Sequence, residues 1–229
     1  MGYYLAVYMT PAVLTGVVIG IIVVVAMLWT LVFDRGMRAV LAIARGIDAL
    51  NSFIGRWVSW AIFAAVIVSA GNAVVRKIFN ESSNAWLELQ WYLFGAAFLL
   101  AAAYTLLQNE HIRIDILYNN YSRRKQNWVD LIGHVFFLMP FVILMIVYFV
   151  PYVELSYHSG EVSTNAGGLT IWPGKLMLLL GFTLLGLQGA SEIIKKIAVM
   201  RGLIPDTQQH VPTHQSLDDV EDLDPTEIR

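Results

Sequence analysis

Apolar residues occur in long runs separated by short groups of charges. Pro11–Phe33 carries no charge, and four further runs follow at about Trp57–Val75, Trp86–Gln108, Trp128–Val153 and Trp172–Ile194. About 20 such residues, at 1.5 Å each, cross a hydrocarbon core of about 30 Å. The pattern therefore predicts five membrane helices. Pro140 is placed to kink the fourth, and Pro173 suits the first turn of the fifth. Trp57, Trp60, Trp86, Trp91, Trp128 and Trp172 fall near the expected ends, where amphipathic rings favour the interface. The first run does not read as a secretory signal. No Lys or Arg precedes it, it is too long, and no A-x-A-like site follows. Residues 1–34 are expected to be a retained membrane helix.

Residues 35–56 have a different period. At 100° per residue, Arg38, Arg45 and Arg56 project within about 20° of one another. Met37, Val40, Leu41, Ile43, Ala44, Ile47, Leu50 and Ile54 fill the opposite arc. This predicts a basic amphipathic helix lying flat on the cytoplasmic surface of the membrane, against lipid. Asp48 and Asn51 fall inside the apolar arc. Either they sit at its margin and reach outward, or they meet a protein partner. At the far end, residues 203–229 hold seven acids, one base and three prolines, with no apolar period. That composition predicts a disordered acidic tail.

Composition moves the whole chain out of the soluble class. It is 57% apolar and 14% charged, against about 45–50% and about 25% for soluble domains. The net charge of −2 hides a cationic body and an anionic tail. Lys and Arg cluster in residues 35–56, 113–125 and 195–201, and only Arg76, Lys77 and Lys175 lie on the other side. The positive-inside rule then places the N-terminus and the loops 77–85 and 154–171 outside, and the tail in the cytoplasm. The absence of cysteine excludes thiol catalysis, cysteine-ligated zinc, iron–sulfur clusters and disulfides. Bases scattered between apolar spans argue against nucleic-acid binding. No nucleotide loop or catalytic triad pattern occurs, so no enzyme, cofactor or metal site is expected.

Intramembrane ionisable groups usually mark transport or catalysis, and here they are few. Glu88 stands in the first turns of the third run, either at headgroup depth near a helix N-terminus or in contact with a partner. Asn72 and Gln90 read as helix-packing amides. His134 reads as a residue bonded to a nearby carbonyl. Paired with His111, it would also fit a haem-binding anchor of a redox enzyme. Glu110–Ile116 alternates polar and apolar residues, which suits an extended stretch with one face on the membrane. The polar, glycine-rich segment Ser159–Gly168 is either a solvated connector or a docking surface for an external protein.

The run Asn84-Ala85-Trp86-Leu87-Glu88-Leu89-Gln90-Trp91-Tyr92 is followed by Gly95 and by Asn109-Glu110-His111-Ile112-Arg113-Ile114-Asp115. Further on come Gly160-Glu161-Val162-Ser163-Thr164-Asn165-Ala166-Gly167-Gly168-Leu169 and then Trp172-Pro173. Over about residues 40–202 this ordered set resembles the small membrane subunit of tripartite ATP-independent periplasmic (TRAP) transporters, the DctQ-like family. The second half is similar to the branch associated with mannitol or chloroaromatic uptake. The resemblance implies an all-α inner-membrane protein with four tilted helices and a flat amphipathic helix, over residues 35–202. It implies a large permease subunit that holds the sodium and substrate sites, and a periplasmic binding protein that delivers an organic acid. The small subunit would be a scaffold. Trp86, Glu88, Gln90 and Trp91, with Asp48 and Asn51, would then meet the large subunit. His111, Arg113 and Asp115 would organise a cytoplasmic loop. Glu161, Asn165 and Trp172 would form the external docking loop. The added first helix and the acidic tail depart from the family pattern.

Overall fold

Five α-helices and one π turn account for most of the described residues. They are α1 (Asp34–Phe79), α2 (Asn84–Gln108), α3 (Arg123–Gly133), the π turn His134–Leu138, α4 (Met139–Ser159) and α5 (Trp172–Met200). This computed structural model describes residues 34–80, 83–109 and 121–205. The expected span Pro11–Phe33, the segment 110–116 with His111, Arg113 and Asp115, and the acidic tail from Asp206 onward lie outside the described residues. Among the described residues four stretches are long and apolar enough to cross a membrane: Met37–Phe79, Asn84–Gln108, Arg123–Ser159 and Trp172–Met200. Among the described residues the only β feature is a bridge between Val162 and Thr170.

Three departures from the expected elements have physical causes. First, the amphipathic segment and the span after it form one helix. The 46 residues of α1 extend about 69 Å at 1.5 Å each. No proline interrupts them, and Gly55 serves packing: a Cβ there would lie 2.3 Å from Cγ of Tyr104. Second, the apolar arc of α1 is divided. Met37, Leu41 and Ala44 are buried, whereas Ile43 and Leu50 stay exposed. Third, the disturbance at Pro140 is a change of helical register. Met139 N–H bonds to the carbonyl of His134, five residues back. Proline lacks an N–H and crowds the carbonyl four residues before it, and a π turn makes room for that ring.

The centre of the bundle is α5, on which Gln188, Ser191 and Ile193 are almost completely buried. On one side, α1 and α2 pack against each other and against α5. On the other, α4 meets α5 where Val142 faces Gly186 and where Phe141 and Phe149 pack on Phe182. At the basic end, which carries Arg38, Arg45 and Arg123–Lys125, the core is Met37, Leu41, Ile193, Ile197 and Ala198. Leu131, Val135 and Ile204 pack against it. The opposite end is closed by the loop 160–171. Large apolar side chains such as Trp57, Phe63, Phe98 and Phe137 face outward along the bundle, as lipid or a membrane partner requires.

Candidate functional site

At the loop end the site is built on one stripe of α2. Asn84, Glu88 and Tyr92 are four residues apart, so they stack on a single helical face. Asn84 Nδ2 donates to the carbonyl of Ala166 at 2.9 Å, and Tyr92 OH donates to that of Thr170 at 2.9 Å. Between them, Glu88 is 6% exposed and takes hydrogen bonds on both oxygens. Ser163 Oγ and Asn165 Nδ2 (2.9 Å) donate to Oε1, and Leu169 N–H donates to Oε2 at 2.6 Å. A charged acceptor makes these bonds stronger than neutral ones. The backbone at Gly168 must pass close by. A Cβ there would lie 2.6 Å from Cβ of Ser163 and 2.8 Å from Glu88 Oε1.

The loop is also fastened from its own ends. Ser163 N–H donates to the carbonyl of Leu169, and Ile171 N–H to that of Glu161. Lys175 Nζ lies 2.5 Å from Glu161 Oε2 and 4.0 Å from the ring centre of Tyr152. Ser156 Oγ donates to the same carboxylate oxygen at 2.9 Å. The bonds from Lys175, and then from Ser156, hold the Glu161 carboxyl below the ordinary carboxylate range. Tyr157 stacks edge-on with Trp172.

The basic end is joined by side chains of three helices. Asp48 of α1 accepts from Gln188 Nε2 (2.9 Å), Ser191 Oγ (2.8 Å) and Lys195 Nζ (3.0 Å), all on α5. Glu192 accepts from Gln188 Nε2 at 3.0 Å and from Lys195 at 2.6 Å. Two carboxylates thus face Gln188 Nε2 and fix the orientation of its amide. Gln188 Oε1 is left to accept from Asn51 Nδ2 at 2.8 Å, and Asn51 Oδ1 is the one buried side-chain oxygen without a partner among the described residues. A second knot joins α3 to α5: Lys196 Nζ lies 2.8 Å from Asp130 Oδ2 and 3.2 Å from Asn127 Oδ1. In the adjoining π turn, His134 Nδ1 lies 2.6 Å from the carbonyl of Asp130. A carbonyl only accepts, so Nδ1 carries the proton.

Several of the residues expected at a partner interface are turned inward. Glu88 holds a loop of its own chain. Asn51 is 1% exposed and has no surface to offer a partner, and Asp48 is spent on α5. Trp86 covers Gly71 with part of its ring. Trp91 is 66% exposed and remains open to a partner, with Gln90 half-buried beside it. Glu161 and Asn165 shape the loop through their side chains. Gln188, Ser191, Glu192, Lys195, Asp130 and Lys196 were not singled out from the sequence. Spacings of three and four put Gln188, Ser191, Glu192 and Lys195 on one face of α5, and that was the available signal. The apolar run ends at Ile194, so Lys195 and Lys196 read only as a basic group that follows it, whereas α5 continues to Met200.

A family model described as "Tripartite ATP-independent periplasmic transporters, DctQ component" matches residues 65–199. The chain belongs to the DctQ family. The match covers α2 to α5 almost entirely, together with the loop that Glu88 holds. Comparison with curated proteins and with solved structures gave no match. DctQ membership makes this chain the small membrane component of a transporter and not an enzyme. It associates, as the family does, with a large permease subunit and a binding protein. With four apolar helices, it is a multi-pass inner-membrane protein. For the haem-anchor alternative there is no support: His134 has the carbonyl bond expected of a packing residue, and the family is a transport family.

Proposed function

We propose that this DctQ chain is the fixed frame of a sodium-coupled system that takes up an organic acid, with its basic end in the cytoplasm and its loop end in the periplasm. One observation carries the reading: side chains of α1 and α3 fasten α5 at the basic end, and Glu88 of α2 holds the loop that leads into α5 at the other. Glu88, Asp130, Glu192, Lys195 and Lys196 are all engaged within the chain, which suits a rigid body more than a moving ion-coupling element. In this reading the large subunit moves against the outward apolar faces, with Trp91 and Gln90 of α2 among the contacts. The tied-down loop offers its exposed tip, Thr164 to Gly167, to the binding protein.

The test is a lock. The chain has no cysteine, so Ala44→Cys and Ser191→Cys can be joined by a short bifunctional thiol reagent. In proteoliposomes with the large subunit and the binding protein, locking α1 to α5 should leave uptake unchanged. Replacing sodium with potassium should abolish it. Loss of uptake on locking would show that the subunit must deform during transport, and would end the frame reading. Sodium-dependent uptake by the isolated subunit would end it equally. Orientation is tested with an impermeant thiol reagent on spheroplasts, which should label Tyr3→Cys and spare Ser216→Cys.

A further inference from the structure

The basic end holds two kinds of cation. Lys195 and Lys196 are paired inside the bundle. Arg38 and Arg45 of α1, and Arg123, Arg124 and Lys125 at the start of α3, are exposed. None of these five has an ion-pair partner among the described residues.

Helix register shows that the two exposed groups flank a single point. Helices α3 and α4 run antiparallel to α5, as the pairs Asp130–Lys196, Leu138–Gly189 and Val142–Gly186 show. Met200, the last residue of α5, is four residues after Lys196, and Arg123–Lys125 are five to seven residues before Asp130. At 1.5 Å per residue these steps are about 6 Å and about 8–10 Å, so Arg123–Lys125 lie just past the end of α5. Helix α1 also runs antiparallel to α5, with Asn51 on Gln188 and Asp48 on Lys195. The same counting brings Arg38 level with the end of α5. There the chain turns back on itself through Gly202, with Leu203 N–H bonded to the carbonyl of Ala198 and Ile204 packed on the core with Met37 and Leu41.

The 24 residues that begin at this root, 206–229, contain seven acids and one base, with five of the acids between Asp218 and Asp224. From Pro205 to Asp218 is 13 residues, up to about 45 Å of chain. We infer that the acidic segment Asp218–Asp224 docks on the rim formed by Arg38, Arg45 and Arg123–Lys125, where it takes the place of anionic headgroups. The inference rests on the position of the root and on charge. It holds whichever way the subunit is oriented, because tail and rim share one end of the bundle.

The full-length chain, co-purified with its large subunit, is placed in discs of mixed anionic and zwitterionic lipid. Spin labels are attached at Ala42→Cys, on the exposed surface between Arg38 and Arg45, and at Ser216→Cys. At low salt the distance distribution should contain a short component. It should disappear at about 1 M salt, where the screening length is about 3 Å. It should also disappear on reversal of the tail charges (Asp218→Lys, Asp219→Lys, Glu221→Lys, Asp222→Lys). Adding Arg38→Glu and Arg45→Glu to that variant should restore it. These tail changes touch no described helix, so loss of folding would not mimic the result. A broad distribution in the wild type, unaffected by salt or by tail reversal, would overturn the proposal and leave the rim to headgroups.

Discussion

The two ends of the bundle are fastened by different means. At the basic end, side chain meets side chain: Asp48 with Gln188, Ser191 and Lys195, and Asp130 with Lys196. Several partners lie more than 130 positions apart in sequence, so these bonds fix helices relative to one another. At the loop end, one carboxylate on α2 mainly holds a connector. The same chemistry, charge-assisted hydrogen bonds in a half-dry setting, sets helix packing at one end and loop shape at the other. Failure should therefore be global at the basic end and local at the loop end.

The strongest attempt to break this contrast is Lys196→Ala. Lys196 and Asp130 are both 7% exposed, and removing one partner of a buried pair costs about 3–5 kcal/mol. Thermal unfolding of the purified subunit should move down sharply. The paired replacement Lys196→Met with Asp130→Leu should recover most of the loss, since apolar substitutes leave no unpaired charge. An unchanged midpoint for Lys196→Ala would show that α3 is not held by this pair.

Gln188→Leu should come next. It strips partners from Asn51, Asp48 and Glu192 at once, and leaving buried polar groups unsatisfied costs about 1–3 kcal/mol. Asn51→Leu should cost less in the same unfolding assay, because Asn51 already has one oxygen without a partner. The reverse order would mean that Gln188 is not the hub.

Glu88→Ala tests the other half of the comparison. Hydrogen exchange at the amides of Ser163 and Leu169 should rise clearly, while exchange at Ile193 stays as in the wild type. Recovery of the large subunit on co-purification should be equal at low and high salt, because the cage is internal. A weaker complex would return Glu88 to the partner interface first expected of it.

The smallest effect concerns pH. Glu161 has a lowered pKa through its bonds to Lys175 and Ser156. A lowered carboxyl contributes stability above its unfolded pKa, and that contribution is lost as pH falls through the folded value. Exchange protection at Ile171, whose amide bonds to the carbonyl of Glu161, should be constant near neutrality and decline only in acid. Glu161→Gln should flatten this profile and leave the basic end untouched. A profile that stays acid-sensitive in Glu161→Gln would assign the titration to another group.

The sequence by itself determined the solvent, the number and order of the described spans, and the family. Hydropathy sums along the chain, so Trp86–Gln108 could be delimited without knowing its neighbours, and it agrees closely with Asn84–Gln108. The motif from Asn84 to Tyr92 carried the family resemblance, and its four-residue spacing already placed three polar groups on one face. Tertiary structure alone decided what those groups touch. Asp48 and Asn51 stand out in the sequence as polar spots in an apolar arc, whereas the polar face from Gln188 to Lys195 went unread. Nothing local joins residue 51 to residue 188. Their bond requires the antiparallel register of α1 on α5, which is set by contacts such as Ser191 on the carbonyl of Ala44 and by the core that Met37 and Leu41 share with Ile193 and Ile197. A slip of one turn, about 5.4 Å, would leave each of these groups without its partner.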